Sequence, residues 1–308
     1  MTNPCLIARR ITKAASQQTY YTIRFLVDPE RKEDAFRAYA YFRWVDDTLD
    51  AVSNSSQDRF VFIKRQKSLL EKCDRGVSPR DTNAEEKMLV DLILHDRDKN
   101  SGLGLYLRNM MQVMDFDVKR RGRLISQAEL NEYTRWLASA VTEAMHYFIG
   151  HDSYAPRDET RYLAVSAAHI THMLRDTFDD MQARYYNIPC EVLDANHIQP
   201  QAVHSKAYRS WVQSRVILAR NYFKAGRDYL SRVEEPRCRL AGFAYTARFE
   251  WLLDTIERED FYLRPEYKER KSFRTGIRMG LQTLSALINS RVSEPIHRPV
   301  VSQSLRKS

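Results

Sequence analysis

The chain has 308 residues, with 49 Lys and Arg against 40 Asp and Glu, for a formal charge of +9. Gly (9) and Pro (10) are scarce, which argues against a hairpin-rich β protein and for long helices with few tight turns. Cys5, Cys73, Cys190 and Cys238 form no CxxC pair or metal-ligand spacing, and no apolar run approaches the roughly 20 residues of a membrane span. These features set aside a disulfide scaffold, a zinc module and a spanning protein.

In chain order, the segment before Asp28 is basic, contains no acid and lacks the apolar core of a signal peptide. Ala35, Ala38, Tyr39, Phe42, Val45 and Leu49 recur at helical spacing and predict a helix over 30–51. Further helices are predicted over 60–70, 84–97 and 104–119. Ser126 with Glu129 forms a capping-box pattern that opens a helix ending at Gly150. The next is predicted over 158–185, stopping before Pro189, followed by helices over 201–233 and 237–258. A last one covers 270–288. The predicted architecture is all-α, with residues 1–290 as one helical domain around a central cavity and residues 291–308 as a disordered basic tail.

Two of these helices carry the chemistry. Asp46 and Asp50 stand at i and i+4, and so do Asp176 and Asp180, which puts each pair on one helix face. Both pairs are set among apolar residues (Trp44, Val45, Leu49; Met173, Leu174, Phe178) and beside an arginine, Arg43 or Arg175. Buried carboxylates without counter-charge are costly, so a bound cation is the natural remedy. An all-oxygen donor set suits Mg²⁺, which takes one or two protein carboxylates together with water and phosphate oxygens. The competing structural reading is a pair of solvated acidic helix faces.

These segments resemble the squalene/phytoene synthase family. Its first aspartate motif, on an aromatic-rich helix, is similar to Tyr39 to Asp50. Its second is similar to Leu174-Arg175-Asp176 through Asp180, and its following loop to Arg184 through Leu193 with one extra residue. Ser16 to Tyr20 and Met114 to Arg121 resemble two further family segments. The resemblance covers residues 14–285. It implies an isoprenoid-synthase-type helical bundle and a head-to-head condensation of two allylic diphosphates, farnesyl or geranylgeranyl, to a linear C30 or C40 isoprenoid such as phytoene or dehydrosqualene. It further implies Asp46, Asp50, Asp176 and Asp180 as ligands of Mg²⁺, with Mn²⁺ the alternative ion. Tyr39 would lie beside the reacting carbons, and Arg43, Arg175 and Arg184 would bind diphosphate oxygens.

Two departures stand out. His169 and His172 replace the amides usual before the second motif, so His172, Asp176 and Asp180 form one column. Either histidine then donates a hydrogen bond to diphosphate, ligates a softer metal, or is a satisfied core residue. Ser139 and Thr142 replace two family glycines, adding volume where a prenyl chain passes close to the backbone. The rival readings are therefore a relative that stops at the cyclopropyl stage, one that ionises a single prenyl diphosphate, and a non-catalytic assembly protein. No glycine-rich dinucleotide fingerprint argues for NADPH, and no nucleic-acid motif accompanies the basic charge. The expected setting is cytoplasmic, with prenyl diphosphates as ligands and peripheral contact at anionic membranes.

Overall fold

The computed structural model describes residues 4–51, 55–96, 98, 101–268, 280–281 and 283–288. No strand occurs among them. The helices are α1 (Pro4–Ala15), α2 (Gln17–Leu26), α3 (Lys32–Asp50), α4 (Ser56–Asp74), α5 (Ala84–His95), α6 (Gly102–Arg120), α7 (Gln127–Phe148), α8 (Leu163–Arg175), α9 (Thr177–Gln182), α10 (Cys190–Asn196), α11 (Lys206–Ser231) and α12 (Pro236–Arg258). Residues 283–288 are helical as well. Residues 280–281 of the helix predicted over 270–288 are helical too; residues 270–279 and 282, and the tail 291–308, lie outside the described residues.

Local sequence fixes most helix ends. Ser55, Asn83 and Ser126 each close a capping box with the acid three residues on, Asp58, Glu86 and Glu129, so two orphan backbone donors are satisfied at each start. Glu33 and Asp34 sit in the first turn of α3, where the positive end of the helix dipole favours them. Gly122 at φ +82° takes the left-handed turn between α6 and α7.

Pairwise contacts close a ring in the order α3, α6, α7, α8, α12, α2 and back to α3. α1, α4 and α5 cover the outside on the α3 side, and α11 packs behind α8 and α12. The back of α3 is locked by a buried polar chain. The Tyr41 hydroxyl donates to Gln66 Oε1 (3.0 Å), Gln66 Nε2 donates to Glu86 Oε1 (2.9 Å), and Arg65 Nε closes it onto the same carboxylate (2.7 Å). This leaves the opposite face of α3 turned toward the ring.

Three expectations need correction. The helix predicted over 158–185 is a 3₁₀ turn at Glu159–Tyr162, then α8 and α9 broken at Asp176 (φ −95°, ψ 11°). At the break the Thr177 hydroxyl donates back to the carbonyls of Met173 (3.0 Å) and Leu174 (3.1 Å), a bond that Thr48, Thr134 and Thr171 also make inside unbroken helices. Asp180 N still donates to Asp176 O at 2.8 Å, so the aspartate pair keeps its one-turn separation. α1 and α2, on a segment without a predicted helix, use Ala8, Thr12 and Ile23 as buried positions, and two of these three are small or polar. α10 starts at Cys190 directly after Pro189, inside what reads as a loop.

The seam between α8 and α11 depends on Gly226. A Cβ there would lie 2.6 Å from Ala164 N and 2.7 Å from its Cα, closer than any unstrained contact. Gly226→Ala gains helix propensity of about 1 kcal/mol but must push two backbones apart, at about 1–3 kcal/mol. The net expectation is a lower urea midpoint with an unchanged slope; a raised midpoint would mean that the seam yields freely.

Candidate active site

α3 turns one stripe toward the ring: Tyr39, Arg43, Asp46 and Asp50 follow at i, i+4, i+7 and i+11. Arg43 pairs with Asp46 at 3.3 Å and, more tightly, with Asp47. Asp47 thus holds the guanidinium at the edge of the stripe. Asp50 has Arg121 at 3.8 Å. The hydroxyls of Ser16 and Thr19 lie beside the Tyr39 phenol, joining the start of α2 to the same end of the ring.

α6 supplies a carboxylate for which the aspartate motifs gave no signal. Asp117 accepts from Arg120 Nε (2.6 Å) and from the Tyr133 hydroxyl of α7 (3.0 Å). Its charge reaches Asp46, Asp50 and Asp180 alike, which places it between the two motifs. Arg120 also donates to Asn187 Oδ1 (2.8 Å), and Asn187 Nδ2 donates to Asp180 Oδ2 (2.6 Å). The Tyr185 ring lies 4.9 Å from the Arg120 guanidinium and 5.5 Å from that of Arg121. The loop after α9 is therefore clamped onto the end of α6. The available signal for Asp117 was its place in Met114–Arg121, with two arginines following.

The second motif is asymmetric. Asp176 accepts from both Arg175 and His172, the latter at 2.7 Å. Burial works against its ionisation, but these two bonds prevail and hold it well below the usual carboxylate range. Asp180, without a cation in direct contact among the described residues, is pushed up to about 7 by burial and then by Asp176. Asp46 is pushed up to about 6 by burial and by Asp50, and burial raises Asp50 too. The resident cations leave this acidic group under-neutralised.

Of the other expected residues, His169 is buried, with its ring centroid 5.1 Å from that of Tyr133. Both ring nitrogens lack a hydrogen-bond partner, and burial holds it neutral, its pKa down to about 3. Arg184 adopts φ +66°, and its carbonyl accepts from Gly122 N (2.8 Å). Its guanidinium lies against Gly122 with no ion pair among the described residues. Ser139 accepts from Asn109 Nδ2 at 3.3 Å, while Thr142 is buried with an unpartnered hydroxyl.

Among the described residues, no three of His, Cys, Asp or Glu converge into a protein-only metal sphere. The donors nevertheless fit Mg²⁺: they are carboxylate oxygens that repel one another, spaced so that phosphate oxygens and water must complete the coordination. Mutual repulsion also fixes a pH response. The stability tied to Asp46 and Asp180 is fully present below their unfolded value of 3.8 and is lost as pH rises through about 6 and about 7. His169 and His146, held neutral by burial with pKa values down to about 3 and about 4, work in the opposite sense over the same interval. The test is therefore the comparison with Asp180→Asn, whose advantage over wild type in the metal-free protein should grow from about pH 5 to about pH 8 and shrink in Mg²⁺. Asp180→Asn should raise the metal-free melting point at about pH 8 by about 2–4 °C. Calorimetry in chelator checks this; a difference between the two proteins that fails to grow across that interval would overturn the electrostatic account.

The profile of the squalene/phytoene synthase family matches residues 12–275. A squalene synthase, HpnC, from Alicyclobacillus acidocaldarius superposes with a TM-score of 0.66 at 17% identity, over 85% of this chain and 95% of that one. A dehydrosqualene synthase solved with a ligand superposes with a TM-score of 0.70 at 15% identity, over 94% of this chain and 97% of that one. At such identities the two structures establish the fold. No protein with a curated function matches the sequence.

Proposed function

The chain belongs to the squalene/phytoene synthase family and is a prenyl-transferring enzyme, and from that premise we propose that it joins two molecules of farnesyl or geranylgeranyl diphosphate head to head. The observation that carries this reading is the convergence of the α3 and α8–α9 aspartates around Asp117, with more carboxylate than cation. Asp46, Asp50, Asp176 and Asp180 would hold Mg²⁺, which when bound supplies the positive charge that a departing diphosphate needs.

The chain's own residues do the rest. Arg43 and Arg184 stand ready to bind diphosphate oxygens, Arg184 because no carboxylate among the described residues occupies it and Arg43 by exchanging its exposed partner Asp47. Arg175 and His172 keep Asp176 ionised, so one carboxylate of the second pair is charged before substrate arrives. Tyr133 and Arg120 fix Asp117, and Tyr39 takes its place beside the reacting carbons. Ionisation of the first substrate leaves an allylic cation. The double bond of the second attacks it, and loss of a proton closes a cyclopropylcarbinyl diphosphate. A second ionisation releases the other diphosphate, and the rearranged cation loses a proton to give the linear phytoene- or dehydrosqualene-type product.

One observation favours a narrower reaction. Ser139 and Thr142 fill space with polar side chains, and Ser139 is tied to Asn109, so a second long prenyl chain meets a smaller, more polar wall. A chain that stops at the cyclopropyl stage, or ionises one substrate alone, would follow. Incubating the pure protein with each diphosphate and Mg²⁺, then identifying products by mass spectrometry, separates these outcomes; a C30 or C40 hydrocarbon supports the full condensation.

Asp46→Ala, Asp50→Ala, Asp176→Ala and Asp180→Ala should each reduce diphosphate release by at least about 10²-fold with the helical circular dichroism intact. Release at the wild-type rate from any two would remove the metal-site assignment.

His172 bonds Asp176 through Nε2, so it orients that carboxylate in addition to any role toward substrate. His172→Asn should keep most of the activity in Mg²⁺, while His172→Ala loses about tenfold or more. A preference for Mn²⁺ or Co²⁺ in the wild type, abolished in both variants, would instead make His172 a metal ligand.

A further inference from the structure

The N-terminal hairpin presents a surface that the condensation reaction does not use. α1 and α2 contain no Asp or Glu. Leu6 is 55% exposed, Tyr21 47% and Phe25 65%. Tyr21 and Phe25 stand one turn apart on α2 and stack face to face, with centroids 6.0 Å apart and planes 9° from parallel. A stack exposed to this degree leaves apolar surface in water.

The cations around it are uncommitted. Arg24 lies over the Phe25 ring at 5.5 Å, and Lys13 over the Tyr20 ring at 5.6 Å. Arg10 lies on the same exposed stripe of α1 as Leu6 and Lys13, by their i, i+4, i+7 spacing. Arg10, Lys13 and Arg24 have no carboxylate partner among the described residues, whereas Arg9 is taken by Glu33. Aromatic side chains ringed by long cations suit the headgroup layer of a bilayer: the rings enter the interface while the cations stay at the phosphates.

We infer that the α1–α2 face is the surface through which this protein docks on membranes carrying anionic lipid. Charge decides against a second copy as occupant. A two-fold interface through this face would set Arg10, Lys13 and Arg24 against their own copies without a balancing acid. Position gives the docking its sense. Ser16, which caps α2, lies beside Tyr39 of the candidate active site, so this face adjoins the end of the ring where lipid diphosphates would enter. That link rests on the proposed reaction; the docking surface itself does not.

The test is flotation of the full-length protein with vesicles of phosphatidylcholine alone or mixed with phosphatidylglycerol, at low and high salt. Wild type should float with the anionic vesicles, and high salt should weaken this. The triple variant Arg10→Gln, Lys13→Gln, Arg24→Gln should lose about 100-fold in partitioning, and Tyr21→Ser with Phe25→Ser about tenfold. Val61→Ser, at an exposed apolar position of α4, should match wild type. All variants should release diphosphate normally from detergent-dispersed substrate, which excludes misfolding as the cause. Equal binding to both vesicle types, unchanged binding by the two multiple variants, or equal loss in Val61→Ser overturns the inference. So does a concentration-dependent dimer that the Tyr21 and Phe25 substitutions abolish. Normal docking by a protein that never releases diphosphate would leave this surface standing and remove the proposed reaction.

Discussion

Repulsion among Asp46, Asp50, Asp117 and Asp180 is the constraint on which the arrangement of the ring turns. Nothing in their own chemistry brings these carboxylates together, and burial raises the cost of each charge. They are held by the apolar faces of the helices that carry them. On α3, Phe42, Val45 and Leu49 are buried, and Tyr41 is anchored from behind through Gln66 and Glu86. Core packing over many contacts outweighs a few unfavourable electrostatic ones. The strain has an outlet: protonation of Asp180 and Asp46 near neutrality, or binding of cations with the anions that accompany them.

The ring sets the direction of that outlet. α3 and α8–α9 approach from opposite sides, and Asp117 on α6 stands between them, fixed by Arg120 and Tyr133. Arg120 then ties Asn187, and Asn187 ties Asp180. One guanidinium therefore spaces an acid of the second motif from the acid of α6, while its charge is shared and cannot neutralise both. Moving either motif along its helix by one residue would rotate its pair by about 100° and dissolve the cluster.

The helical class, the boundaries of α3, α5, α6 and α7 and the α3 acidic stripe were legible because they rest on local signals: apolar spacing, one capping box and i,i+4 pairs. α4 runs Ser56–Asp74, past the expected 60–70 at both ends, because its Ser55–Asp58 box was not read. Ser126 and Glu129 make both bonds of the expected box. The break at Asp176 was illegible because no Gly or Pro between His172 and Asp180 marks it. Asp117 was visible only as one acid in a family-like segment; its importance arises from α7 and the loop after α9, both distant in sequence. His169 was placed beside the motif correctly along the chain, yet its ring faces Tyr133, and only packing decides that.

The seam between α7 and the segment leading into α8 shows the same chemistry put to opposite use at its two ends. Away from the aspartates, Glu143 accepts two bonds from Arg161, at 2.7 and 3.0 Å, and one from Tyr162 at 2.9 Å. Arg161 continues to Pro156 O and to the Tyr229 hydroxyl, which meets His146 Nε2 at 2.8 Å. Here a buried acid has a bidentate cation and a complete set of donors, and such a pair fixes geometry when every member is satisfied. Glu143 is accordingly held below the ordinary carboxylate range: burial pulls upward, and Arg161 prevails. At the other end Asp180 has an amide and a shared, distant cation, and its pKa moves the opposite way. Burial is common to both ends, so burial cannot be what separates them. The difference is the number of committed donors: a carboxylate whose donors are all committed serves the fold, and one left short of positive charge keeps a valence for a ligand.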